Sequence, residues 1–350
     1  MKEIRFKDYL IDYLEFYNIT QKEFSTRIGI TQKHLIDILA GKCDLSSKVI
    51  DNISLVTNIP TDYIYRIESN YKLEKAIYNF LSEKHLTSSS YLSRFNYKYL
   101  ENKKWISFTD TTDKFEMLKD IIKYLRVPNP DTIYELDKNI FYKSKNDKPE
   151  LLLIWLERCY QKTLEQQVLE YNSNNLDDVI ANILEMAKAN EFDRAKLQKM
   201  FNHYGLLFVM EEDIPTSKIR GAFKVLKDKP AIYLTYKYHR IADIYFALLH
   251  ELAHCKRDFN QAKATNFITF DESTLENAEQ SADKQALEWM VDNDYYNSIC
   301  IKKDYDITKE TKYPKSFIVY RLAMDNYITY SSTLYQTYNI LIKYDEQKNN

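Results

Sequence analysis

FALLHELAHCKRDF, residues 246–259, carries two histidines four apart with a glutamate directly after the first, inside a run that otherwise reads as a half-buried helix. Positions i and i+4 of an α-helix lie on one face a turn apart, so His250 and His254 can aim both imidazoles at one ion. Glu251 is turned from His250 by about 100°, near enough to address a water at that ion without being a ligand itself. An HExxH pattern arises by chance in a chain of this length about one time in a hundred. A catalytic zinc needs a third protein ligand, and the next helical stretch, ENAEQSADKQALEWM, supplies carboxylates. Glu279 and Asp283 stand four apart on one face, which Leu287 and Met290 continue toward a core. Glu279 is therefore expected as the third ligand, with Asp283 hydrogen-bonding the far nitrogen of a ligand histidine and fixing its tautomer. Glu276 competes for the ligand role, but it lies near the helix start and has no aspartate four residues later. Two solvent-facing histidines and an ordinary charged face are the bland alternative, which requires all these residues to share ligand spacing by accident.

Upstream of this stretch, GLLFVM (205–210), GAFKVL (221–226) and AIYLTY (231–236) read as short strands, the last two joined through KDKP as a hairpin. A helix is expected over 241–257, then a strand FITF (267–270), then a helix from about 275 to 291. AIYLTY is expected to be an edge strand able to hold an extended peptide by β-addition. Residues 71–200 are charged and mainly helical, with loops at VPNPD (127–131) and KSKNDKP (143–149). Their strongest helices are LLLIWLERCYQKTLEQQVLEY and NLDDVIANILEMAKA, and they carry no chemical motif, as a packing and spacer domain would. In residues 1–70, Tyr9, Leu10, Tyr13, Leu14 and Tyr17 follow a 3.6-residue period closed by Asn18. Thr20 then caps a helix with Glu23 three residues on, Gly29 makes a sharp turn, and Thr31 opens QKHLIDILAG. A further helix starts at Ser46 or Ser47, and Pro60 ends that unit. The expected fold class is mainly α with a small β-sheet (α+β), in three parts: 1–70, 71–200 and 201–350.

The chain has 350 residues, 45% of them hydrophobic and 14% aromatic, enough to bury cores. Four glycines and seven prolines favour a mostly helical protein with few tight turns. A net charge of −2 gives no global basic field, so nucleic-acid contact would have to come from a local patch. Cys43, Cys159, Cys255 and Cys300 form no CxxC pair, which suits a reducing compartment. The N-terminus alternates charged with apolar residues, unlike a signal peptide, and no stretch reaches the roughly 18 apolar residues of a membrane span. The expected location is cytoplasmic.

KPAIYLTYKYHRIADIYFALLHELAHCKRDF followed by AEQSADKQALEWM resembles the zinc metallopeptidases of the ImmA/IrrE family, and the likeness runs through about 201–345. It implies Zn²⁺ held by His250, His254 and Glu279, the glutamate-zincin arrangement, with Glu251 as catalytic acid and base. Family members cleave helix-turn-helix repressors and so derepress phage, mobile-element or stress genes. The sequence departs from the family at Gln285, where phenylalanine is frequent, and at Tyr313, where histidine is frequent. The first seventy residues are similar to the repressor-type (XRE) helix-turn-helix, through ITQKEFSTRIGITQKHLIDILAGK, and DYIYRIESNYKL resembles the closing helix of HigA-type antitoxins. That similarity implies Gln32, Lys33 and Asp37 as groove-facing residues, Gln21 and Lys42 as phosphate contacts, and Phe24, Ile28, Leu35, Ile38 and Leu39 as core. Residues 1–70 hold nine Lys/Arg against ten Asp/Glu, a poor electrostatic footprint for DNA.

Three function classes stay open on these grounds. One is a DNA-binding regulator whose own peptidase domain cleaves a repressor or antitoxin. Another is a HigA-like antitoxin or transcription regulator in which zinc only holds a sensor domain together. The last is a peptidase whose N-terminal module docks a protein substrate without touching DNA. Repressor-type modules usually work as homodimers. Arg240 and His239 are expected to be structural or surface residues, and Cys255 a small buried one.

Overall fold

The computed structural model describes residues 5–138, 140–141, 148–263, 266–270, 277–302 and 310–342. The chain divides into two compact units, Met1–Leu92 with Phe108–Thr132, and Ser93–Ser107 with Ile133–Asn350. It is mainly helical with one small sheet, the expected α+β class.

The first unit opens with α1 (Phe6–Phe16), α2 (Gln21–Arg27), α3 (Gln32–Leu39), α4 (Ser47–Thr57), α5 (Thr61–Glu83) and α6 (Ser88–Leu92). Phe6, Leu10 and Leu14 bury one stripe of α1, while Tyr9 and Tyr17 on the same expected period are exposed. The side chains of Thr20, Thr31 and Ser46 accept the backbone N–H groups of Glu23, His34 and Val49, which starts α2, α3 and α4 where the capping residues predict. Glu23 turns its carboxylate to Arg27 at 2.6 Å. Gly29 and Gly41 both take the left-handed conformation, with φ of 69° and 72°, so the chain can reverse after α2 and α3 without a Cβ clash. Phe24, Ile28, Leu35, Ile38 and Leu39 all lie in the core of this unit, as expected. Helix α5 runs unbroken across residue 70, and Glu68 on it accepts the Phe6 N–H at 3.0 Å and pairs with the buried Arg5 at 3.3 Å.

Next along the chain come α7 (Tyr97–Asn102) in the second unit, α8 (Lys114–Tyr124) in the first, and α9 (Asp131–Lys138), which crosses between them. The second unit continues with β1 (Ile140–Phe141), α10 (Pro149–Thr163), α11 (Leu176–Lys188), α12 (Arg194–His203), β2 (Leu207–Glu211), β3 (Ile219–Leu226) and β4 (Lys229–Thr235). It ends with α13 (Ile241–Ala262), β5 (Asn266–Phe270), α14 (Asn277–Met290), α15 (Asn293–Lys302), α16 (Lys315–Met324) and α17 (Thr333–Tyr338). Residues 143–147 of the expected KSKNDKP loop lie outside the described residues, as does Glu276.

The strands form one sheet in the order β1-β5-β3-β4-β2. β3 and β4 make the expected hairpin, but the turn is only Lys227 and Asp228, with φ of 47° and 63°. Positive φ at both central residues matches the right-handed twist of the two strands. β4 pairs with β3 on one side and with β2 on the other, in parallel register from Leu207↔Ala231 to Glu211↔Thr235. The expectation of AIYLTY as an edge strand is therefore wrong, because both rows of its backbone groups are used within the sheet. One face of the sheet packs on α13 through Phe223, Ile232 and Leu234, in a core shared with α11 and α16. On the other face, Trp155 of α10 meets the buried Tyr233 edge-on at 6.2 Å.

Candidate metal centre

α13 is the spine of the second unit. From Ile241 to Cys255 nearly every residue is buried, so the helix is apolar on all sides except where its functional groups point. Its N-terminus is capped from a distance: the Asn339 side chain, fully buried, accepts the Ala242 N–H at 2.9 Å and donates to Asp243 at 2.9 Å. Arg240 donates to the Asn339 carbonyl and to Gln336, a structural role for that residue as expected.

His250 and His254, one turn apart on α13, bring their Nε2 atoms to 3.1 Å from each other. Glu279, in the first turn of α14, presents one carboxylate oxygen to each of them, at 3.3 Å from His250 Nε2 and 3.2 Å from His254 Nε2. The three side chains are 2%, 0% and 1% exposed. They form the candidate metal-ligand cluster found among the described residues. Asp283, one turn beyond Glu279, bonds His250 Nδ1 at 2.8 Å, as expected from the sequence. His254 Nδ1 bonds a second carboxylate at 2.8 Å, that of Asp258. Sequence reasoning missed Asp258, although it sits four residues after His254 on the same helix and the i, i+4 rule that paired the histidines also predicts this contact.

A neutral imidazole has one N–H, and a carboxylate at Nδ1 draws that proton to itself. Both Nε2 atoms then offer lone pairs to a space already bordered by a carboxylate. Three electron-rich donors meeting at such distances repel unless a cation stands among them. Donor spacings of 3.1–3.3 Å also match the edge of a tetrahedron with arms of about 2.0 Å, which is about 3.3 Å. The residues thus fit a metal cation. With protons instead of an ion, burial opposes charge on His250, yet its bonds to Asp283 and Glu279 push it up to about 10. His254 moves upward too: burial works against it, and Asp258 and Glu279 prevail. Burial would raise Glu279, but the two histidines hold it down at about 2.

Glu251, 1% exposed, follows His250 and points its carboxylate toward β3, within electrostatic reach of both histidines. Cys255 is buried, with its sulfur 3.4 Å from the Tyr171 hydroxyl, and burial pushes its thiol up to about 12. It is a packing residue, as expected. Tyr313 bonds Asp292 through its hydroxyl.

The residues expected to meet DNA lie in the first unit. Gln32 and Lys33 are the first two residues of α3 and are exposed, Gln21 opens α2 and Lys42 follows Gly41, both exposed, while Asp37 is half-buried. No protein-family model matches this chain, and no curated protein is significantly similar to it.

The paired carboxylates lead to a direct expectation. Asp283→Ala and Asp258→Ala should each weaken metal binding by about 10- to 100-fold while leaving the ligand atoms in place. Competition with a chromophoric chelator measures this; unchanged affinity in the Asp258 variant would remove that residue from the site.

Proposed function

We propose that this chain is a zinc-dependent endopeptidase of the ImmA/IrrE type joined to an XRE-type, HigA-like helix-turn-helix module, acting on a repressor or antitoxin protein. The observation that carries the reading is the convergence of the His250 and His254 Nε2 atoms and the Glu279 carboxylate beside the buried Glu251. Bound there, zinc supplies Lewis acidity, activating a water and polarising a peptide carbonyl. Asp283 and Asp258 keep the Nδ1 protons of His250 and His254, so the imidazoles stay oriented and basic at Nε2. Glu251 accepts a proton from the attacking water and delivers it to the leaving amine nitrogen. Cleavage of a repressor derepresses phage, mobile-element or stress genes.

Co-expression with the proteins encoded beside it tests this. Wild type should produce a fragment of one neighbour that Glu251→Gln does not, with a loss of about 10²- to 10⁴-fold in turnover. A fragment formed equally by both would exclude Glu251 as the general base.

The near-complete burial of Glu251 and the three ligands favours one second reading, in which zinc holds a sensor domain together and nothing is cut. For the helix-turn-helix module, the exposed start of α3 supports operator binding, with Gln32 and Lys33 reading bases. A gel shift on upstream DNA that weakens steeply with salt would separate this from a module that only docks protein. Among the described residues no helix is long and apolar enough to cross a membrane.

A further inference from the structure

Gly221 differs from the other three glycines of the chain. Those three, Gly29, Gly41 and Gly205, take positive φ, where the missing Cβ relieves backbone strain. Gly221 lies in β3 without a left-handed φ, so its backbone conformation is open to any residue. What it lacks is room: a Cβ at this position would lie 2.5 Å from Glu251 Oε1, 3.1 Å from Glu251 Cδ and 3.0 Å from the Tyr233 carbonyl. The Glu251 carboxylate therefore rests directly against the backbone of β3.

The strand is shaped at the same point. Ile219 pairs with Phe270 and Gly221 with Thr269, which leaves Arg220 as an extra residue, a bulge of β3 opposite β5. Thr235, 1% exposed, fixes this bulge by donating its hydroxyl toward the carbonyls of Arg220 at 3.1 Å and Ile219 at 3.4 Å. On its other side Gly221 is held in register with Leu234 of β4. The floor under Glu251 is thus paired to both neighbouring strands, so the side-chain end of Glu251 is the part that gives way to an added methyl group.

We propose that Gly221 is a positioning residue for Glu251: the bulge at Arg220 and the absent side chain set the strand backbone as a seat that fixes where the carboxylate stands relative to the imidazole pair. This rests on the reading of Glu251 as the general base. An alanine at 221 pushes the carboxylate aside without touching a metal ligand.

The test uses the full chain, loaded with zinc for stability and with cobalt(II) for its visible absorption. Gly221→Ala should keep one equivalent of metal, lower the melting midpoint by about 5 °C, and change the cobalt band in the same direction as Glu251→Gln. In a Glu251→Ala background the same glycine substitution should cost far less, because the group it displaces is gone. If Gly221→Ala proves insoluble, solubility of the Gly221→Ala/Glu251→Ala protein supports the seat, and insolubility of both overturns it. An equal loss of midpoint in both backgrounds assigns the strain to the Tyr233 carbonyl and overturns the proposal, as does a cobalt band identical to wild type. A wild-type protein that takes up no stoichiometric metal would sink the peptidase reading itself, a result distinct from the failure of the seat.

Discussion

Glu279→Gln should abolish stoichiometric zinc. A structural zinc site is worth about 10–16 kcal/mol in all, so one of three protein ligands accounts for an affinity change on the order of 10³-fold. The substitution is nearly isosteric, yet it replaces a carboxylate, about 1% exposed, by an amide whose N–H₂ can donate to an imidazole Nε2. It removes a negative charge and fills the lone pairs the ion requires. Metal analysis after dialysis, with competition titration for the residual affinity, gives the number. A variant that still carries one zinc per chain would eliminate Glu279 as a ligand. Glu251→Gln is the control, since it changes the neighbouring carboxylate and should leave the metal in place.

Zinc removal should lower stability by an amount that depends on pH. At a free zinc concentration 1,000 times the dissociation constant, binding adds about 4 kcal/mol, or roughly 10 °C in the melting midpoint. Without zinc the site is held together by protons. His250 is raised to about 10 in the folded protein, so its contribution is fully present below the ordinary histidine range, near 6.5, and is lost as pH climbs toward 10. Glu279 is depressed to about 2, so its contribution is present above the ordinary carboxylate range and is lost as pH falls toward 2. Zinc must displace the imidazole protons, and it therefore competes better as they leave. The gain in midpoint on adding zinc should be larger at pH 8 than at pH 6. A gain independent of pH would show that the ion does not sit on these imidazoles.

The centre was legible in the sequence because most of it obeys one short-range rule. His250 to His254 and Glu279 to Asp283 are both i, i+4 pairs on helices with a clear apolar face, and the structure brings the two pairs together. The helix caps at Thr20, Thr31 and Ser46 were equally local and equally readable. Asp258 obeys the same rule and was overlooked. What the sequence did not reveal is long-range pairing. The stretch from Leu151 to Tyr171 has helical periodicity throughout, yet α10 stops at Thr163. Beyond it, the Gln166 side chain pairs with both backbone groups of Phe208 on the edge strand β2, at 2.8 and 3.2 Å, and Leu169 N–H reaches Asn202. That tertiary capture outweighs local helix propensity. AIYLTY failed as an edge strand for a related reason: nothing in its own residues records that β2 would add alongside. The role of Gly221 was likewise hidden, because it depends on a carboxylate thirty residues away.

His250, His254 and Asp258 occupy three successive turns of α13, so this half of the centre can take shape as soon as that single helix winds. Glu279 and Asp283 arrive only when α14 docks alongside. An ion gripped by both halves would act as a rivet between two helices separated by a strand in the chain, and its off-rate would become a clock for their parting.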